Sequence, residues 1–236
     1  MHYMMMPLDE HFDRGFGAVA DSFKDAADAL YVPGQPTSFL NAHLPVSFLY
    51  RHAIELFLKS VIIIFHRKLT LPYGEPPGIA EPQVLVAGKW KPMYNVHAVM
   101  PLFVYVRKLF ADQADYLRSN TTTDWSLPAE LDTWIDDIDA TDSSSTFFRY
   151  PVTRHGDQDK KKSAIQRDSP DSLISAISAN QGPVKMFLFT DQADQIVDAY
   201  SFKNGDSVAM IATLRRTAEA LSDCHAALVG ELTGGR

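Results

Sequence analysis

Leu49-Tyr50-Arg51-His52-Ala53-Ile54-Glu55-Leu56-Phe57-Leu58-Lys59-Ser60 decides how the rest of this chain is read. Apolar side chains cover most of the circumference of a helix drawn through it. That is the mark of a helix enclosed by others. Within it, Arg51, Glu55 and Lys59 fall at i, i+4 and i+8 on one strip, with His52 beside them. Unpaired buried charge is costly, so these groups must pair with each other or reach another polar element. One reading keeps them as ion pairs on the less buried face. The other makes Arg51 and His52, with His97, a polar centre.

Working outward, the central helix is expected over about residues 45–67, after a first helix over 9–30 whose stripe is Phe12, Phe16, Val19, Phe23 and Ala26. A third helix is expected over 97–117. A fourth is expected over 126–139, with Ser126 as N-cap, and a last one over 206–232. Residues 69–96 are rich in proline and glycine and read as an insertion. There Gln83-Val84-Leu85-Val86 and Lys89-Trp90-Lys91 flank Ala87-Gly88 as a small hairpin. Residues 152–183 read as a long, mobile, basic loop with a short helix over 173–179. Residues 184–189 could be a strand or the approach to a helix over 191–200. Together these give a single all-α domain over 1–236.

The 236 residues carry 22 Lys plus Arg against 29 Asp plus Glu, a formal charge of -7, which gives no global attraction to nucleic acid. The imbalance is local. Residues 112–142 hold nine acids and one base, Arg118, whereas residues 154–167 hold five bases and two acids. A lone cysteine, Cys224, cannot form an internal disulfide or a zinc cluster by itself. No apolar run approaches the length of a membrane span, and no targeting signal is evident at the start, so no membrane partner and a cytoplasmic location are expected. No Gly-rich phosphate loop and no zinc motif appear, so neither cofactor nor metal is expected. Asp132, Asp136 and Asp139 read as a solvated face.

A second feature is Phe147-Phe148-Arg149-Tyr150-Pro151. An arginine among aromatics can stack, and its planar fork can hold a carboxylate or phosphate. Glu55 or Asp139 is a possible internal partner. Arg149 would then lock the exit of the fourth helix onto the second.

Taken in order, Arg51-His52-x-x-Glu55-Leu56-x-Leu58-Lys59, His97, Asp139-x-x-Asp142 and Phe148-Arg149-Tyr150-Pro151 resemble bacterial proteins of the HEPN type. The resemblance covers about residues 42–151. It implies an all-α, HEPN-like bundle, often a homodimer, in a prokaryotic defence or toxin–antitoxin setting, with RNA, an antitoxin or another protein as partner. Catalytic HEPN proteins are metal-independent endoribonucleases that use an arginine, then four to six intervening residues, then a histidine. Arg149 and His155 have that spacing here, although Pro151 interrupts the segment. On this reading Arg149 and His155 are catalytic, with His52 alongside. Arg51, Glu55, Lys59, His97, Tyr150, Lys160, Lys161 and Lys162 contribute to binding. The alternative is a non-catalytic helical module that binds a protein or RNA.

Overall fold

A computed structural model describes residues 3–33, 40–72, 81–169, 171–172, 175, 185–202 and 205–235. Helix α1 spans Phe16–Leu30 and α2 spans His43–Leu69. Strands β1 (Gln83–Val86) and β2 (Lys89–Pro92) follow, then α3 (Val99–Asp112), α4 (Ala114–Asn120) and α5 (Leu131–Asp142). Next come the single turn α6 (Gly156–Lys160), β3 (Ile165–Asp168), β4 (Met186–Thr190), β5 (Ile196–Phe202) and α7 (Gly205–Thr233).

Helix α2 is the axis, as its all-round apolar surface demands. From Ala53 to His66 only Leu56, at 9%, exceeds 3% exposure, and α1, α3 and α7 pack around it. Burial of side chains such as Ile54, Phe57, Ile62 and Phe65 stabilises the fold by roughly 1.5–3 kcal/mol each. Helix α5 packs against α7 and α3.

The start of α1 is fixed by Asp13. Its carboxylate accepts the N–H groups of Gly15 (3.0 Å) and Gly17 (2.7 Å), which the first turn leaves without intrahelical partners. Its Oδ2 also takes the Ser60 hydroxyl of α2 at 2.5 Å and faces Nε2 of His225 in α7 at 3.3 Å. One buried carboxylate thus ties three helices together. Burial raises its pKa, but the bonds from His225, Ser60 and Gly17 outweigh that and bring it down to about 2. A β-carbon on Gly17 would collide with the His225 ring and come within 2.7 Å of Tyr3 Oη, so only glycine fits.

The expected all-α class is incorrect. The protein is mixed, with a two-stranded antiparallel sheet β1-β2 and a three-stranded antiparallel sheet in the order β3-β5-β4. The β1-β2 hairpin forms at the residues anticipated. Ala87 (φ 50°) and Gly88 (φ 75°) both take the left-handed conformation of a tight two-residue turn. The larger sheet was not anticipated. Strand β3 lies inside the segment read as a loop, which also holds α6. Residues 196–202, read in part as helix, alternate across β5 instead. The pairing of β3 with β5 joins residues more than thirty positions apart, as in Ile165 opposite Phe202, so no local pattern marks it.

Smaller corrections concern helix ends. The third helix breaks at Gln113 into α3 and α4. The fourth begins at Leu131, not Ser126, whose N–H instead bonds the Asp124 side chain. The first helix proper starts at Phe16, after short 3-10 turns. The helix expected over 173–179 lies outside the described residues apart from Ser175. No described helix is long and apolar enough to cross a membrane.

Candidate functional site

The polar strip of α2 lies in the core, not on a less buried face. Arg51, Glu55 and Lys59 are 1%, 1% and 3% exposed. Helical spacing sets the first contacts. Glu55 Oε2 accepts Arg51 Nη1 at 2.6 Å and its Oε1 accepts Lys59 Nζ at 2.8 Å. Tertiary packing adds the rest. His97, just ahead of α3, brings Nδ1 to 3.0 Å from Glu55 Oε1, and its carbonyl accepts Arg51 Nη2. Asp142, at the end of α5, places Oδ2 3.3 Å from Arg51 Nε. Two buried cations therefore meet two buried anions, the condition under which such a cluster is tolerated. Burial pushes the Glu55 pKa up, but Lys59, Arg51 and the His97 bond outweigh it, and the carboxyl stays below its ordinary range.

Asp142 passes this order on to the following loop. Its Oδ1 accepts the N–H groups of Thr146 (2.7 Å) and Phe147 (2.9 Å), while buried Ser145 takes the left-handed conformation at φ 62°. Arg51 holds Asp142, and Asp142 holds the turn that presents Phe147, Phe148, Arg149 and Tyr150. The lock between the fourth helix and the second is Arg51–Asp142 and not Arg149.

Arg149 pairs with neither Glu55 nor Asp139. It is exposed, with its guanidinium 5.7 Å from the Phe48 ring. Phe48 stacks on His52 at 5.8 Å, and Phe23 meets His52 edge-on at 4.6 Å. Burial lowers the His52 pKa; Arg51, Arg149 and Lys59 add to that against the opposing pull of Glu55. His155 goes elsewhere. It is exposed and lines a small cavity of about 120 Å³ with Asp142, Ser143, Thr146, Thr153 and Gln158. No hydrogen bond or ion pair joins Arg149 to His155 among the described residues.

A larger cleft of about 550 Å³ opens beside the loop, where the first turns of α2 and α7 meet the end of α5, α6 and β3. Phe147, Phe148, Leu44 and Met210 form its apolar wall. Around it stand His43, Ser47, Gln158, Lys161, Lys162, Gln166, Asp206 and Ser207. The predicted lysines have different duties. Lys162 is buried and structural: its Nζ lies 2.6 Å from Asp159 Oδ1, donates to the Tyr150 carbonyl at 2.9 Å, and sits 4.6 Å over the Phe147 ring. Its own carbonyl faces His43 Nε2 at 2.7 Å, and burial lowers the pKa of that imidazole. Lys160 is exposed and pairs with Asp157 at 3.1 Å. Lys161 is exposed at the cleft rim with no partner among the described residues. The side-chain amides of Gln158 and Gln166 likewise bond to no described residue. Tyr150 is 51% exposed and its side chain lines none of these spaces.

Asp142, Gln158 and Gln166 were missed as site residues. Asp142 could have been found, since two buried cations on α2 need a second anion and Asp142 ends an apolar-striped helix. Nothing local marks the glutamines. Cys224 is buried, which pushes its thiol up to about 12 and leaves no thiolate at neutral pH. Among the described residues no cluster of His, Cys, Asp and Glu is arranged to hold a metal ion. No family model, no curated protein and no solved structure matches the chain.

Proposed function

We propose that the protein binds single-stranded RNA in the cytoplasm, in the defence or toxin–antitoxin setting that the HEPN resemblance implies, with one nucleotide unit seated in the cleft. The observation that carries this is the convergence of unengaged groups on an aromatic wall. The ammonium of Lys161 and the amides of Gln158 and Gln166 line the same cleft as Phe147 and bond to no side chain or backbone group among the described residues. The volume falls in the usual range for small-ligand sites, and the chemistry divides as nucleotide recognition does. An aromatic face takes the base, amides read its edge, and a cation meets the phosphate. Within residues 154–167, Lys160, Lys162 and Arg167 are held by Asp157, Asp159 and Asp198, so the attraction to phosphate at the cleft rests on Lys161.

Fluorescence anisotropy with labelled RNA tests this, alongside DNA of the same sequence, duplex RNA and free mononucleotides. Single-stranded RNA is expected to bind tightest, with affinity falling as salt rises. Lys161→Ala reduces both affinity and salt slope. Phe147→Leu weakens binding by about 1 kcal/mol or more if a base stacks there. Mononucleotides binding as well as RNA would identify a nucleotide receptor instead, and no binding at low salt would remove the proposal.

A second reading, metal-independent RNA cleavage, is favoured by one observation. The Glu55 carboxylate can only accept, so it fixes the His97 proton on Nδ1. The ring, with its side chain 52% exposed, then offers a lone pair at Nε2. An imidazole held this way can take the ribose 2′-hydroxyl proton as that oxygen attacks phosphorus and the P–O5′ bond breaks, the departing 5′ oxygen taking its proton from solvent. This moves the candidate base from His155 to His97. RNA cleavage in the presence of chelator that is lost in His97→Ala but kept in His155→Ala supports it; intact RNA after long incubation does not.

A further inference from the structure

We propose that β4 is a homodimer interface, pairing antiparallel with β4 of a second copy about a two-fold axis at Leu188. Strand β4 is the outer strand of the order β3-β5-β4, with no neighbour on its free side among the described residues. Its side chains are the wrong ones for water. Phe187, Leu188 and Phe189 are 52%, 46% and 56% exposed, and Val197 at the same end of the hairpin is 59% exposed. Free edges are ordinarily blunted by charge, proline or a bulge. Met186-Phe187-Leu188-Phe189-Thr190 has no charge and no proline, and the register shift opposite Phe189 and Thr190 places the extra residue, Val197, in β5.

The occupant follows from the two residues that bracket the strand. Lys185 precedes it and Asp191 follows it, each three positions from Leu188. In an antiparallel pair centred on Leu188, Lys185 lies opposite the partner's Asp191, and Phe187 lies opposite the partner's Phe189. The second half of the pair repeats both contacts. Moving the centre to Phe187 or Phe189 sets the charges opposite other residues, so one register alone is self-complementary. Both charges are free to serve. The Lys185 ammonium has no ion pair among the described residues and rests 5.7 Å from the Phe202 ring. Asp191 uses Oδ1 to accept the N–H groups of Ala193 (2.8 Å) and Gln195 (2.9 Å), leaving Oδ2. An unrelated partner would have to reproduce this charge order, whereas a second copy carries it already. The interface supplies no residue to the cleft, so its failure and the failure of the RNA reading are separate results.

Sedimentation equilibrium of the full chain is expected to give twice the chain mass. Lys185→Asp and Asp191→Lys each set like charges opposite one another and weaken the dimer by about tenfold or more. Mixing the two variants restores it, because each then faces its complement. Asp191→Lys also removes the acceptor of its turn, so Leu188→Cys gives an independent reading. Under mild oxidation the Leu188→Cys chain cross-links to its own copy across the axis, while Phe187→Cys and Phe189→Cys, displaced from it, cross-link poorly alone and well when mixed. A chain that stays monomeric at high concentration overturns the proposal. So does a dimer indifferent to both charge changes, or cross-linking that ignores register.

Discussion

Helix α2 and the β3-β5-β4 sheet invert each other. The helix carries Arg51, Glu55 and Lys59 into the core, where each is almost wholly shielded, while the sheet holds Phe187 and Phe189 in solvent at more than half exposure. Charge inside and aromatic rings outside both run against the ordinary partition of side chains. Their consequences differ. The buried charges are paired with one another, with Asp142 and with His97, so they specify geometry: they fix a loop. The exposed rings keep more than half their surface uncovered, Phe189 meeting only Tyr200 edge-on at 5.7 Å, so they specify company. A violation that is satisfied internally points to structure, and one left unsatisfied points to a partner.

The comparison breaks most severely at Glu55. Glu55→Ala leaves Arg51 and Lys59 buried without their shared anion, and a loss of about 3–5 kcal/mol is expected in urea unfolding. Gly17→Ala comes next, because the new β-carbon meets the His225 ring in a closed space. About 2–3 kcal/mol is expected by the same measurement, with the steric origin confirmed if His225→Ala relieves part of it. The Asp13 tie then sets a pH limit. Its folded pKa of about 2 lies below the ordinary 3.8, so its contribution is full above the higher value and is lost as pH falls through the lower one. That contribution is about 2 kcal/mol. Asp13→Asn should flatten the acid limb of a stability–pH curve between those values. At the other extreme, Val197→Thr on the sheet exchanges an exposed apolar side chain for a polar one of the same shape and should shift stability by less than about 0.5 kcal/mol.

The same contrast explains what could be read in advance. The axis of the fold was legible because α2 states its surroundings through its own circumference, and the β1-β2 hairpin because Ala87-Gly88 states its turn locally. The large sheet was not, since β3 is Ile165-Gln166-Arg167-Asp168, four residues with no apolar alternation, and its partner lies far along the chain. Of the site, the i, i+4 contacts of Arg51, Glu55 and Lys59 follow from helical spacing alone. The approach of His97 and Asp142 does not, because it depends on how α3 and α5 dock. The Arg149 and His155 spacing yields no hydrogen bond or ion pair within the described chain for a related reason. A fixed separation brings two side chains together on a helix, but here Pro151 and the turn into α6 send one over Phe48 and the other to a different cavity.

The most direct test of the central claim, that a loop anchored by Arg51–Asp142 frames an RNA cleft, is hydrogen–deuterium exchange with and without a single-stranded RNA oligonucleotide. The account predicts slowed exchange over residues 144–166 and at the first turns of α2 and α7, lost in Lys161→Ala, with β1-β2 unchanged. Protection confined to β4 and β5, or spread evenly over the molecule, would contradict it.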